Sequence, residues 1–182
     1  MSPIDASPPT DTHSAEPASA AEPPFFEVSI TKLVVLSICT FGLYEVYWFY
    51  ENWKRLNQRQ GRGLVPMGRA MLAMFFCYPF FKLVKDEGNK VAAGDLPAAQ
   101  LAAGFIITCL CCFLPSPFLI VSDLTVFFLV PVQRVANRIN AIQVPGRDTN
   151  NRFSAGNIAT VVIGGLLLVL SFIVIVRPPK LV

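Results

Sequence analysis

Histidine is all but missing from this chain: its one copy, His13, lies among prolines, alanines and acids near the N-terminus. A lone histidine there has no partners with which to build a metal or catalytic site. Charge is scarce as well, at 15% of 182 residues, against roughly 25% in ordinary soluble domains. No Lys or Arg occurs before Lys32. Glycine-rich nucleotide loops, paired catalytic carboxylates and a Ser/His/Asp set are also lacking. These absences exclude several hydrolase chemistries, so the chain reads as non-enzymatic and no cofactor is expected. A net charge of +3 is too small to imply a nucleic-acid partner.

Residues 1–24 hold six Pro, five Ala, four Ser and four acids. Such a stretch cannot bury enough apolar area to offset its chain entropy, so a disordered acidic tail is expected. It does not read as a signal peptide, because no basic region leads directly into an apolar stretch. All five cysteines (Cys39, Cys77, Cys109, Cys111, Cys112) fall in apolar segments, where free thiols behave as small hydrophobes. A disulfide framework is therefore not expected, and Cys109-x-Cys111-Cys112 lacks the paired spacing and histidines of a zinc site.

What the chain has in abundance is apolar sequence, 53% of its residues. Residues 158–176 carry no charge, which suits the roughly 20 residues that a bilayer core asks of a helix. Residues 32–55 run from an apolar start into Phe41, Tyr44, Tyr47, Trp48, Phe49, Tyr50 and Trp53 and end on Lys54 and Arg55. Aromatic rings followed by cations are the pattern of a membrane helix reaching the cytoplasmic headgroups, so Tyr44, Tyr47, Trp48, Phe49, Tyr50 and Trp53 are expected to form an interfacial belt.

The fold class expected is an all-α integral membrane bundle in residues 25–180. Its spans fall at about residues 30–50, 97–114, 118–132 and 157–176. Residues 67–85 form a short or re-entrant helix, or a fifth span through snorkelling of Arg69 and Lys82. Pro115-Ser116-Pro117 breaks the central hairpin. Residues 132–143 place Val132, Val135, Ala136, Ile139 and Ile142 on one side and Gln133, Arg134, Asn137, Arg138 and Asn140 on the other, an amphipathic surface segment. Counting cations favours four spans with the N-terminus outside and residues 133–156 in the cytoplasm.

Two acids lie within expected spans. Glu45 is either a proton or cation relay or an interfacial carboxylate, paired with Arg134 or Arg138 or simply hydrated. Asp123, flanked by Ser122 and Thr125, either lines a polar path or sits in a hydrated funnel. Gly104, Thr108 and Cys112 recur every four residues, and Gly164 and Gly165 adjoin in the last span. Small faces of this kind let helices approach closely in lipid.

At Lys32-Leu33, residues 40–45, Tyr47-Trp48-Phe49-Tyr50 and Asn52-Trp53 the chain resembles a family of small, uncharacterised bacterial inner-membrane proteins known only as a domain of unknown function. Pro131-Val132-Gln133, Asn137, Asn140 and Asn151-x-Phe153-Ser154 look like later landmarks of that family, and the similarity covers about residues 25–176. The resemblance implies a multi-pass inner-membrane location and supplies no activity or catalytic residue. The functions expected are a scaffold or accessory subunit, with the bilayer and a membrane protein or a second copy as partners, or a small transporter or channel component using Asp123 and Glu45.

Overall fold

The computed structural model describes residues 22–61, 63, 65–114 and 123–176, apart from the side chains of Cys112, Asp123 and residues 174–176. The expected tail up to residue 21, the Pro115 to Pro117 break, the first part of the third span and the end beyond residue 176 lie outside the described residues. Those that are described form seven α-helices and no strand.

The first helix, α1, covers Ile30–Cys39 and starts on Ser29, whose hydroxyl accepts the Lys32 N–H at 3.3 Å. It does not continue to residue 50 as expected. Thr40 turns the chain: its hydroxyl donates to the Leu36 carbonyl at 2.7 Å and accepts the Tyr44 N–H at 2.9 Å. Phe41 and Gly42 then take left-handed conformations (φ 51° and 82°), and the Gly42 N–H closes back on the Ser37 carbonyl at 2.9 Å. Such a 6→1 bond ends a helix by satisfying a carbonyl that the missing next turn would have used. The second helix, α2, covers Leu43–Gln60 and stops at Gly61, again left-handed.

The region expected as a short helix over 67–85 is two helices, α3 (Pro66–Met71) and α4 (Ala73–Lys90), broken at Leu72. Helix α5 (Ala98–Leu110) tightens into a 3₁₀ turn at Cys111–Phe113. A second 3₁₀ turn, Asp123–Thr125, leads into α6 (Val126–Gln143), which joins the end of the expected third span and the expected amphipathic segment into one helix through Pro131. The last helix, α7, covers Ala155–Val176.

Trp48, Phe49, Asn52, Trp53 and Leu56 lie on one face of α2, at spacings of one, three and four, and are all buried. They meet α4, where the Phe80 ring contacts Phe25, Trp48, Phe49 and Trp53 at 5.4–6.2 Å between centroids. Phe105 of α5 closes the cluster against Phe49 and Phe81. Edge-on pairs like these contribute about 0.5–1.5 kcal/mol each beyond area burial. Trp48, Phe49 and Trp53 are therefore core residues, which corrects half of the expected interfacial belt. Tyr47 is 46% exposed, and Tyr44 and Tyr50 are half-buried.

Helices α1 and α7 pack side by side and run the same way. Lys32 Nζ donates to Asn150 Oδ1 at 2.8 Å and to the Arg152 carbonyl at 3.0 Å, while seven residues further along α1 Cys39 touches Gly164 of α7. Beyond Gly164 the helix continues on its own. Among the described residues α7 is the one helix long and apolar enough to cross a membrane, and it is almost wholly exposed. The helices α1 and α5 are apolar but have only 10 and 13 residues.

Candidate functional site

Residues 25–28 enter the bundle outside any helix, so their backbone groups need partners from elsewhere. Side-chain amides supply them. Asn140 accepts the Phe25 N–H at 3.0 Å and donates to the Phe25 carbonyl at 2.9 Å, bonding both backbone groups of one residue. Asn52 accepts the Phe26 N–H at 3.0 Å. Gln133 donates to the Phe26 carbonyl at 2.9 Å, Asn137 to the Val28 carbonyl at 2.9 Å and Asn150 to the Glu27 carbonyl at 3.0 Å. Gln133 is itself oriented by Trp48, whose indole N–H donates to its Oε1 at 2.6 Å.

The same segment carries Glu27, 6% exposed. Arg147 grips it through two bonds, Nε to Oε2 at 2.8 Å and Nη2 to Oε1 at 3.0 Å, and Asn140 Nδ2 adds a third at 2.6 Å. A bidentate guanidinium with further donors is the arrangement in which a buried carboxylate offsets its lost hydration. The result is a polar clamp at one end of the bundle, drawn from α2, α6 and the loop after α6. It fixes residues 25–28 beside residues 137–150, so the expectation that the N-terminal segment and residues 133–156 face opposite sides does not hold. Gln133 and Asn140 are fully buried, which also corrects their expected place on a hydrated face with Arg134 and Arg138.

A second polar group sits at the other end. The turn after α1, the N-termini of α2 and α4, the C-terminus of α3, the C-terminal half of α5 and the turn before α6 converge on a cavity of about 350 Å³, lined mostly by apolar residues including Phe41, Leu43, Met74, Cys109 and Phe113. Glu45, 5% exposed, lies on its wall and accepts the Thr125 hydroxyl at 2.8 Å. No ion pair joins Glu45 to Arg134 or Arg138 among the described residues. The reason is axial distance: Arg134 lies nine residues beyond Thr125, about 13 Å along a helix, and Arg138 instead donates to the Ala93 carbonyl at 3.4 Å. Asp123 opens the 3₁₀ turn before α6, and its side chain lies outside the described residues.

The small residues differ among themselves. A Cβ on Gly164 would collide with the Cys39 carbonyl, and one on Gly104 with the Phe128 ring, whereas Gly165 faces open space. Thr108 is buried and donates to the Gly104 carbonyl at 2.8 Å. The Cys112 side chain lies outside the described residues.

At the clamp end Lys85 pairs with Asp95 at 3.4 Å. The Leu96 N–H, and then Lys85, hold the Asp95 carboxyl below its ordinary range. No group of three or more His, Cys, Asp or Glu suited to a metal occurs among the described residues. Chemically, the clamp recognises backbone and carboxylate, and the cavity offers an apolar space with one carboxylate and one hydroxyl.

Sequence reasoning missed Glu27, Arg147 and Asn150. A signal was present in the spacing of Gln133, Asn137 and Asn140, since i, i+4 and i+7 mark a single helix face. No curated protein and no solved structure matches the chain. Residues 28–141, from the end of the clamped segment to the last turn of α6, match the DUF4234 domain of unknown function, and the chain belongs to that family.

Proposed function

We propose that the chain is an integral protein of a bacterial inner membrane in which α7 makes the one complete crossing and the bundle serves as a non-enzymatic scaffold or accessory subunit. The carrying observation is α7: Val162, Ile163, Leu166 and Phe172 are each more than 60% exposed. Apolar area left in water costs about 25 cal/mol per Å², and a lipid surrounding removes that cost. The outward surfaces of other helices support the same reading. On α4, Phe75 and Tyr78 give way to Lys82; on α6, Phe127 gives way to Arg134 and Arg138; on α7, Asn157 precedes the exposed Ile158.

On this reading the cavity end lies in hydrocarbon and the clamp end in water. The change from Phe127 to Arg134, or from Phe75 to Lys82, spans about 10 Å of helix. Gly164, level with the end of α1, is about 9 Å inside Ile158, whereas the apolar run of α7 extends for about 27 Å, close to a hydrocarbon core. Among the described residues the bundle then occupies one leaflet, and α7 alone continues through the other. Lys32, Lys85, Arg138, Arg147 and Arg152 fall at the clamp end, and the positive-inside bias makes that side cytoplasmic.

Scaffolding is favoured over transport by what lies between the Glu45 cavity and the clamp: Trp48, Phe49, Phe80 and Phe105, all 0–2% exposed. A transporter or channel component remains the second reading, and the cavity beside Glu45 is the observation in its favour. Liposomes holding the full chain separate the two. Scaffolding predicts no protein-dependent proton or cation flux, and a flux abolished by Glu45→Gln would transfer the assignment to transport.

A further inference from the structure

From the one-leaflet seating just proposed, on which this step rests, we infer a further activity: the protein bends membranes, favouring those whose cytoplasmic leaflet is convex. The argument is one of area. Apolar ends of α1, α2, α4, α5 and α6 surround the cavity, and their outward residues (Leu43, Phe75, Ile107, Phe113 and Phe127 among them) are more than half exposed, which in a bilayer is contact with acyl chains. Among the described residues these ends lie near the level of Gly164, where Cys39 meets α7, and α7 goes on beyond it.

A helix with its side chains is 10–12 Å across, so each takes roughly 80–110 Å² of a leaflet. Five helices beside α7 therefore displace roughly 400–550 Å² of lipid from one leaflet, with no counterpart in the other among the described residues. A bilayer accommodates mismatched inclusions by deforming, and insertion into one monolayer is sensitive to curvature. The deformation that relieves this asymmetry curves the crowded leaflet outward, toward the clamp. Rigidity is what makes the body act as a wedge. The aromatic core and the Arg147–Glu27 clamp hold the helices as a unit, and the contact of Gly164 with Cys39 fixes that unit to the spanning helix.

The test uses the full chain, labelled with a fluorophore at its N-terminus and reconstituted in giant vesicles of neutral lipid with a minor anionic component. Molecules with the clamp outside are those whose label an impermeant reductant bleaches. Thin tubes pulled from these vesicles should show the outward-facing protein enriched over a bilayer dye, with an enrichment that grows as the tube narrows. Equal density on tube and vesicle, or depletion from the tube, would overturn the inference. Quenching by bromolipids of a Trp placed at Phe113 in the same preparation keeps the two steps apart. Quenching deep in the chains without tube enrichment refutes bending and leaves the seating standing, whereas quenching near the headgroups without enrichment removes both.

Discussion

Arg147→Ala is expected to destabilise the fold by about 3–5 kcal/mol, the usual cost of removing one partner of a buried ion pair. The side chains of Arg147 and Glu27 are 13% and 7% exposed, so water cannot replace the lost guanidinium. Glu27 would be left with Asn140 as its remaining donor among the contacts described, and the Asn137 carbonyl would lose its bond from Arg147 Nη2. Because the cost is chiefly that of an uncompensated charge, Glu27→Gln in the Arg147→Ala background should recover part of it while keeping an acceptor for Asn140. Thermal denaturation of the detergent-solubilised variants gives the comparison, at about 2–4 °C per kcal/mol for a chain of this size. A melting temperature for Arg147→Ala within a degree or two of the parent would show that the clamp does not hold the fold.

Gly164→Leu and Gly165→Leu, one residue apart in the same apolar helix, are expected to part company. At Gly164 the new side chain meets backbone, the Cys39 carbonyl, which cannot move without disturbing the turn at Thr40 to Gly42. Overpacking against side chains usually costs about 1–3 kcal/mol, and a backbone obstacle should put this variant at or above the top of that range. At Gly165 nothing lies within 4 Å of the added Cβ, so the change should fall within the roughly 0.5 kcal/mol typical of surface positions. The same melting experiment serves. Equal effects at the two positions would mean that α7 does not dock on α1 through Gly164.

The contrast between these glycines also shows where sequence reasoning stops. Adjacent glycines in an apolar run look alike, because which of them faces a neighbour depends on how the helix is rotated, and rotation is set by packing. The helical class and the apolar α7 follow from periodicity and run length. The end of α1 at Cys39 does not, since it depends on Thr40 bonding in both directions and on Phe41 accepting a left-handed conformation. Trp48 and Trp53 suit an interface by composition and a core by geometry, and contact with Phe80 from a distant helix decides between them. The clamp was hidden for the same reason. Asn and Gln at hydrophobic spacing look hydrated until residues 25–28 bring a backbone that needs them.

The most direct test of the one-leaflet seating is depth-dependent quenching of a single tryptophan placed at Phe113, which is 79% exposed at the cavity end of α5. The native Trp48 and Trp53 are 0% and 2% exposed, so they are shielded from lipid and give a weakly quenched background. In bilayers containing lipids brominated at a series of chain positions, Phe113→Trp should be quenched most by bromines near the chain ends, at the middle of the bilayer. Strongest quenching by bromines next to the headgroups would put that end of α5 at the far surface and contradict a bundle confined to one leaflet.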